Sequence, residues 1–196
     1  GIDTVEFQLD EITVLGKRAL RDKFLQAVLR ERPDAVFLFM YTDEIDAATC
    51  DRIRQEGVPL IMWFADDYWR FWNYSRRWAP YFTWVATTDA KAVDRYRGAG
   101  SENVIHSQWA CNTDIFKPFG IKKDIDVSFV GQYKSPRAAV LRRLAREGIN
   151  VEAFGFGWPA QTTGVVQSGG PNGKISEKKM IEIISRSKIN LNLNVR

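Results

Sequence analysis

The chain has 196 residues, of which 45% are hydrophobic, 27% charged and 13% aromatic, a balance that excludes a mainly disordered or fibrous polypeptide. No apolar run approaches the ~18 residues that cross a bilayer and residues 1–30 lack the layout of a secretory signal, while two cysteines, Cys50 and Cys111, make neither a disulfide framework nor a zinc cluster, so a reducing cytoplasm is the expected compartment. The net charge of +4 is uneven: residues 1–117 carry 15 Lys and Arg against 18 Asp and Glu, and residues 118–196 carry 13 against 6, so the second part, at +7, suits a phosphate, nucleotide, nucleic acid or membrane surface.

Residues 5–9 (VEFQL) read as a strand. Over 17–31 the apolar positions Leu20, Phe24, Ala27 and Val28 share one helical face, and Pro33 ends that helix. An apolar run of strand length follows at 34–41, then a helix over 44–56 closed by Gly57, and a second buried-strand run at 59–64. The segment 67–78 reads as an aromatic helix and 82–87 as a strand. Asp89 caps a helix over 90–97 that ends at Gly98, before a short strand at 103–107. Residues 110–124, with Asn112, Pro118, Gly120 and a lysine pair, interrupt this rhythm as a connector. The alternation restarts with a strand at 125–130 and a helix over 136–147, with Ser135 as N-cap and Pro136 in the first helical position. A strand at 150–154, a Gly-rich loop at 155–174, a helix over 177–187 capped by Ser176 and a strand at 188–194 complete the chain.

Continuously apolar strands separated by helices specify parallel sheets covered on both faces. The expected fold class is therefore α/β, with two Rossmann-like parallel-sheet domains at 1–112 and 125–196 and a linker at 113–124. The chain opens on a strand with no βα element before it and closes on one with no helix after it. Both domains are accordingly expected to be truncated parts of a longer protein.

Chemistry-bearing residues concentrate in three places. In SFVGQYKSPR (128–137) a buried strand ends at Gly131, where a backbone can approach a ligand, and a helix begins at Ser135–Pro136. The unpaired N–H groups and partial positive charge of that helix end suit a diphosphate, and Lys134 and Arg137 add full charges; a plain βα turn has the same outline. In FGFGW (154–158), Gly155 and Gly157 sit at the carboxyl end of the next strand, where open α/β sheets bind ligands. The spacing is not GxGxxG, which sets aside a dinucleotide enzyme, and the competing reading is a flexible connection over a buried Trp158. The third place, 63–84, holds 11 aromatics in 22 residues. Tyr68, Trp69, Phe71, Trp72, Tyr74 and Trp78 cover more than one helical stripe, so some rings face a groove or a partner. Asp66 and Asp67 stand where strand meets helix, and carboxylates beside ring faces suit sugars or other hydroxylated acceptors; the competing reading is aromatic core plus a capping Asp. His106 is the only histidine, which excludes a multi-His metal site, and no Ser or Cys stands in a nucleophile-elbow context.

Taken in order, PDAVFLFMY (33–41), PLIMWFADDYW (59–69), TTDAKAVDRYR (87–97), WACNTDIFKP (109–118), DVSFVGQYKSPRAAVLRRL (126–144), VEAFGFGW (151–158) and ISEKKMIEIISRSKINLNLN (175–194) make the sequence resemble GT-B glycosyltransferases of the group 1 type, particularly the spore-maturation-protein-like branch, over nearly its whole length. The resemblance implies a nucleotide-sugar donor held mainly by the second domain, an acceptor entering from the first, and no catalytic metal. It also implies a Gly-rich turn and a Glu-bearing helix beyond Arg196 that complete the donor site, so the segment by itself is expected not to turn over.

On that resemblance, Gly131, Gln132, Lys134 and Arg137 face the diphosphate, and Gly155 and Gly157 line the base and ribose side. Asp67 or Asp66 takes the acceptor hydroxyl proton if the reaction inverts; Asp66 is better placed to cap the helix, which leaves Asp67 freer for catalysis. Tyr68 and Trp69 offer ring faces to the acceptor. The expected function is transfer of a sugar from a nucleoside-diphosphate sugar, the sole co-substrate, to a hydroxyl on a glycan, lipid or protein. Nucleic acid is not an expected partner, because the basic half lacks interleaved aromatics; peripheral membrane association stays open. The alternative is a non-catalytic nucleotide- or glycan-binding module of the same fold.

Overall fold

The computed structural model describes residues 1–159, 165–167 and 175–194, and the chain divides into two compact units, Gly1–Ala110 and Cys111–Arg196. The first unit opens without a strand. Residues 1–8 are irregular, Leu9–Glu11 form a 3-10 turn, and α1 (Ile12–Glu31) follows with a break at Gly16, whose φ of 76° lies outside helical space. The expected strand at 5–9 joins neither edge of the first sheet. Phe7 instead packs its ring edge against Phe24, with centroids 5.1 Å apart, so a core contact overrides the local alternation.

After α1 come β1 (Val36–Leu38), α2 (Ala47–Gln55) and β2 (Leu60–Phe64). The aromatic segment then breaks into α3 (Asp67–Arg70), a π-helical turn (Phe71–Ser75), α4 (Arg76–Trp78) and a 3-10 turn (Ala79–Tyr81), where a single helix over 67–78 was expected. One helical stripe cannot bury rings distributed all round, and the wider π turn places both Phe71 and Ser75 inside. β3 (Trp84–Thr87), α5 (Ala90–Gly98) and β4 (Val104–His106) complete the unit. Asp46 caps α2 by accepting from the Thr49 N–H at 2.9 Å, and Asp89 caps α5 by accepting from the Lys91 N–H at 3.0 Å.

The four strands are parallel in the order β1-β2-β3-β4, with Val36 opposite Leu60 and Ile61 opposite Trp84. Winding steadily in one direction with right-handed crossovers puts every connection on the same face. Leu38, Leu60, Met62, Phe64 and Val85 are buried there with Phe24, Val28, Ile53 and Tyr96. The alternate positions point the other way, and Phe37 is 61% exposed, Ile105 45% and Trp84 38%. The first sheet is thus covered on one face, not on the two expected, because its strand order never reverses.

The second unit contains β5 (Ile125–Val130), α6 (Ser135–Arg146), β6 (Val151–Phe154), β7 (Val165–Gln167), α7 (Glu177–Arg186) and β8 (Ser187–Leu191), all strands parallel in the order β7-β6-β5-β8. Here the winding does reverse. Leu141 of α6 packs with Val127, Phe129, Val151 and Ala153, while Ile183 of α7 packs with Ile125 and Phe154. Strand β7 falls within the stretch expected as a Gly-rich loop at 155–174; residues 160–164 and 168–174 of that stretch lie outside the described residues. Helix α6 begins one residue early: Lys134 takes the cap position in extended conformation and Ser135 is already helical, so its hydroxyl caps nothing. Ser176 does cap α7, accepting from the Lys179 N–H at 3.2 Å. Within the stretch expected as a linker, Phe119 donates its N–H to Ser185 Oγ and Lys123 donates to the Ser187 carbonyl, both inside this unit. No helix among the described residues is long and apolar enough to cross a membrane.

The carboxyl ends of β5 and β6 meet with no room for a side chain. Gly155 has φ 129°, and a Cβ there would lie 2.5 Å from the Gly131 carbonyl oxygen. Gly155→Ala therefore combines a forbidden backbone conformation with a clash against main chain, and should destabilise the second unit by about 2–4 kcal/mol in urea unfolding. Gly148→Ala, at φ 80° in open space, should cost about 1 kcal/mol. Equal losses from the two would show that Gly131 and Gly155 are not in close approach.

Candidate functional site

Strand order reverses between β5 and β8, and open α/β sheets take ligands outside the carboxyl ends of their strands at such a point. The residues expected at a diphosphate gather there. Main-chain bonds prolong the β5–β6 ladder past both strands, from the Gly131 N–H to the Phe154 carbonyl and from the Tyr133 N–H to the Phe156 carbonyl, each 2.8 Å. Trp158 donates its indole N–H to the Gly131 carbonyl at 2.9 Å and packs on Phe129 and Tyr133. Gln132 and Lys134 are exposed, and Lys134 makes no ion pair among the described residues. Gly157, at φ 82°, lies beside the Tyr133 Cβ.

Arg137 is used differently from its neighbours. Its Nε donates to the Leu193 carbonyl at 2.9 Å, Nη1 donates to the Gln132 carbonyl at 3.0 Å, and the guanidinium lies 5.5 Å from the Phe129 ring centroid. The side chain braces the turn after β5 against the chain leaving β8. Gly155 likewise serves the close backbone approach described above.

In the first unit both aspartates depart from their expected parts. Asp67 is fully buried, not free: Tyr96 donates its hydroxyl to Oδ2 at 2.8 Å, and Oδ1 is buried without a hydrogen-bond partner. Burial pushes the Asp67 carboxyl above the usual carboxylate range, against the hydroxyls of Ser75, Thr87 and Tyr96, which favour the charged form. Asp66 starts α3 through its main chain, its carbonyl accepting from the Arg70 N–H at 2.9 Å, but its side chain caps nothing. That carboxylate is half-buried and lines a shallow cleft at the carboxyl ends of β1 and β2, together with Phe39, Tyr41, Arg70, Tyr74 and Ser75.

Arg70 was not among the expected site residues. Its guanidinium lies 3.9 Å from the Tyr74 ring centroid and 5.2 Å from that of Tyr41, and Nη2 donates to the Tyr41 carbonyl at 2.6 Å. The sequence carried a signal for it: an arginine four residues before a tyrosine on a helix puts cation and ring on one face. Tyr68 and Trp69 are exposed, and Trp72 joins them at 61% exposure. His106 is exposed at the end of β4, where its Nε2 lies 3.0 Å from Gln108 Nε2. Among the described residues no three or more His, Cys, Asp or Glu side chains gather in a way that could hold a metal ion. Burial pushes the Cys50 thiol up to about 12, and Cys111 is exposed.

The fold of the two units is mixed α/β with Rossmann-like parallel sheets. No family model and no curated protein matches the chain. Among solved structures it is similar to the apo form of the lipopolysaccharide outer core galactosyltransferase WaaB, at 14% identity and a TM-score of 0.40, over 93% of this chain and 50% of that one. The chain thus spans about half the length of that structure.

Asp67 has a measurable signature. Its pKa is raised on folding, so its contribution to stability is complete below about pH 4 and is lost as pH rises through the folded value. Asp67→Asn removes that loss: the variant should match or exceed the parent in unfolding free energy at pH 7, and the difference should shift toward the parent at pH 4. A parent whose stability instead rises between pH 4 and 7 relative to Asp67→Asn would show that folding lowers the pKa of this carboxyl.

Proposed function

We propose that the chain carries donor- and acceptor-binding parts of a glycosyltransferase that moves a sugar from a nucleoside diphosphate to a hydroxyl acceptor without a metal ion. The observation that carries this reading is the turn after β5, where Gly131, the N-terminus of a 12-residue helix and Lys134, without an ion pair among the described residues, stand at the point of strand-order reversal. The ordered set of segments resembling group 1 GT-B enzymes supports it, as does the +7 charge of residues 118–196. The diphosphate would take Lys134 and the N–H groups at the start of α6, while Arg137 holds the turn in shape, Gly155 permits the close approach to Gly131 and Gly157 leaves space beside the nucleoside. In the first unit Asp66 is the accessible carboxylate and would take the acceptor proton in an inverting reaction, with Tyr68 and Trp69 as neighbouring rings.

Calorimetric titration with uridine and guanosine diphosphates separates the two cations. Lys134→Ala should weaken diphosphate binding by about 1–3 kcal/mol, the range of a charge-assisted hydrogen bond, with thermal stability unchanged. Arg137→Ala should lower both affinity and stability, since two carbonyl groups lose their donor. Unaltered affinity in Lys134→Ala would remove the diphosphate from this turn.

One observation favours the second reading, a non-catalytic nucleotide- or glycan-binding module: of the two aspartates, one is sealed in the core. Turnover in the whole protein discriminates the readings. Asp66→Asn should lower transfer by ~10²–10⁴, the general-base contribution, whereas diphosphate binding with no transfer to any acceptor would make the module the correct description.

A further inference from the structure

We infer that the cleft at the carboxyl ends of β1 and β2 binds a neutral, polyhydroxylated ring, so that the acceptor is a sugar residue and not an aliphatic lipid or an anionic group. The inference rests on the transferase reading for the word acceptor, but the cleft stands on its own residues. It contains one carboxylate and one guanidinium, Asp66 and Arg70, and among the described residues neither forms an ion pair, with the other or with any third group. Of the acids that act on Tyr74 from outside the cleft lining, Glu44 accepts from the Thr42 N–H at 2.9 Å and Asp43 is paired with Lys17 at 2.7 Å. An anionic ligand would meet Asp66 and a cationic one Arg70; a hydroxylated neutral ligand satisfies both, donating to the carboxylate and accepting from the guanidinium.

Arg70 is held ready for that purpose. Stacking on Tyr74 and the bond to the Tyr41 carbonyl fix the guanidinium while using one of its five donors. An exposed ring completes the cleft. Tyr41 is 70% exposed, whereas Phe39 packs its ring on Trp63 and Trp109, and the negative face of an aromatic ring attracts the polarised C–H groups on one side of a pyranose. An aliphatic chain would gain from the rings but would leave Asp66 and Arg70 desolvated and unpaired, at a penalty that disfavours it.

Saturation-transfer NMR on the intact chain tests this with methyl glycosides of glucose, galactose, mannose and N-acetylglucosamine, beside glucose 6-phosphate and octanol. At least one glycoside should receive saturation at its ring protons. Asp66→Ala and Tyr41→Ala should each weaken it about tenfold, one hydrogen bond or one stacked ring. Trp84→Ala, on the exposed sheet face away from the cleft lining, should leave affinity within about twofold of the parent. Circular dichroism checks the fold, and Asp66→Asn and Tyr41→Phe give conservative second variants. Binding of no glycoside overturns the inference, as does binding that survives both alanine variants, or tighter binding of the phosphate or of octanol. Titration of the same samples with uridine and guanosine diphosphates keeps the two failures apart. Diphosphate binding without glycoside binding removes the sugar cleft alone. Glycoside binding without diphosphate binding keeps the cleft and removes the donor half of the transferase reading.

Discussion

A parallel strand pair cannot be joined by a tight turn, and the crossover that joins it is right-handed; the rest of this structure depends on that constraint. In the first unit the strands advance in a single direction, so α2 and α5 lie against the face that carries Leu60, Met62 and Phe64. Phe37, Trp84 and Ile105 stay exposed on the other. In the second unit the order turns back on itself at β5, and α6 and α7 take opposite faces. The same local grammar of strand and helix thus yields a one-sided layer in one half and a two-sided layer in the other.

At the turn after β5 the backbone is held by the protein's own hydrogen bonds. Gly131 has its N–H bonded to Phe154 and its carbonyl bonded to the Trp158 indole, while Arg137 holds the next carbonyl. Gly155 permits this by having no Cβ to strike the Gly131 carbonyl. Groups fixed in this way would not have to be ordered if the proposed diphosphate bound here. The cost is that Arg137, spent on two main-chain carbonyls, is less free for a phosphate than its charge suggests.

Burial makes the corresponding decision in the first unit. Asp66 and Asp67 are chemically identical neighbours, yet one turn of chain sends Asp67 into the core beneath Tyr96, Phe71 and Phe64, and leaves Asp66 in a cleft. A carboxyl without water is driven towards its neutral form, whereas one that keeps solvent on one side stays an acceptor for hydroxyl groups. The π-helical turn belongs to the same solution. It allows Phe71 and Ser75 to be buried together while Tyr68, Trp69 and Trp72 stay outside.

The sequence by itself determined the elements and their class. Apolar runs of strand length, the capping residues Asp89 and Ser176, and the helix stop at Pro33 are local features whose physics acts within a few residues, so the parallel α/β character and the clustering of Gly131, Lys134 and Arg137 after β5 were legible. The strand anticipated at 5–9 and the single helix over 67–78 were not realised, because Phe7 and the rings of 68–78 answer to partners distant in the chain. β7 was missed because its three residues sit inside a glycine-rich stretch with no periodicity to mark them. Only the tertiary structure decided which aspartate is sealed, that Arg70 is stacked on Tyr74 and Tyr41, and that Arg137 braces the turn. Each of those outcomes depends on distance and solvent exclusion between residues up to 56 positions apart, and neither quantity is written in composition or spacing.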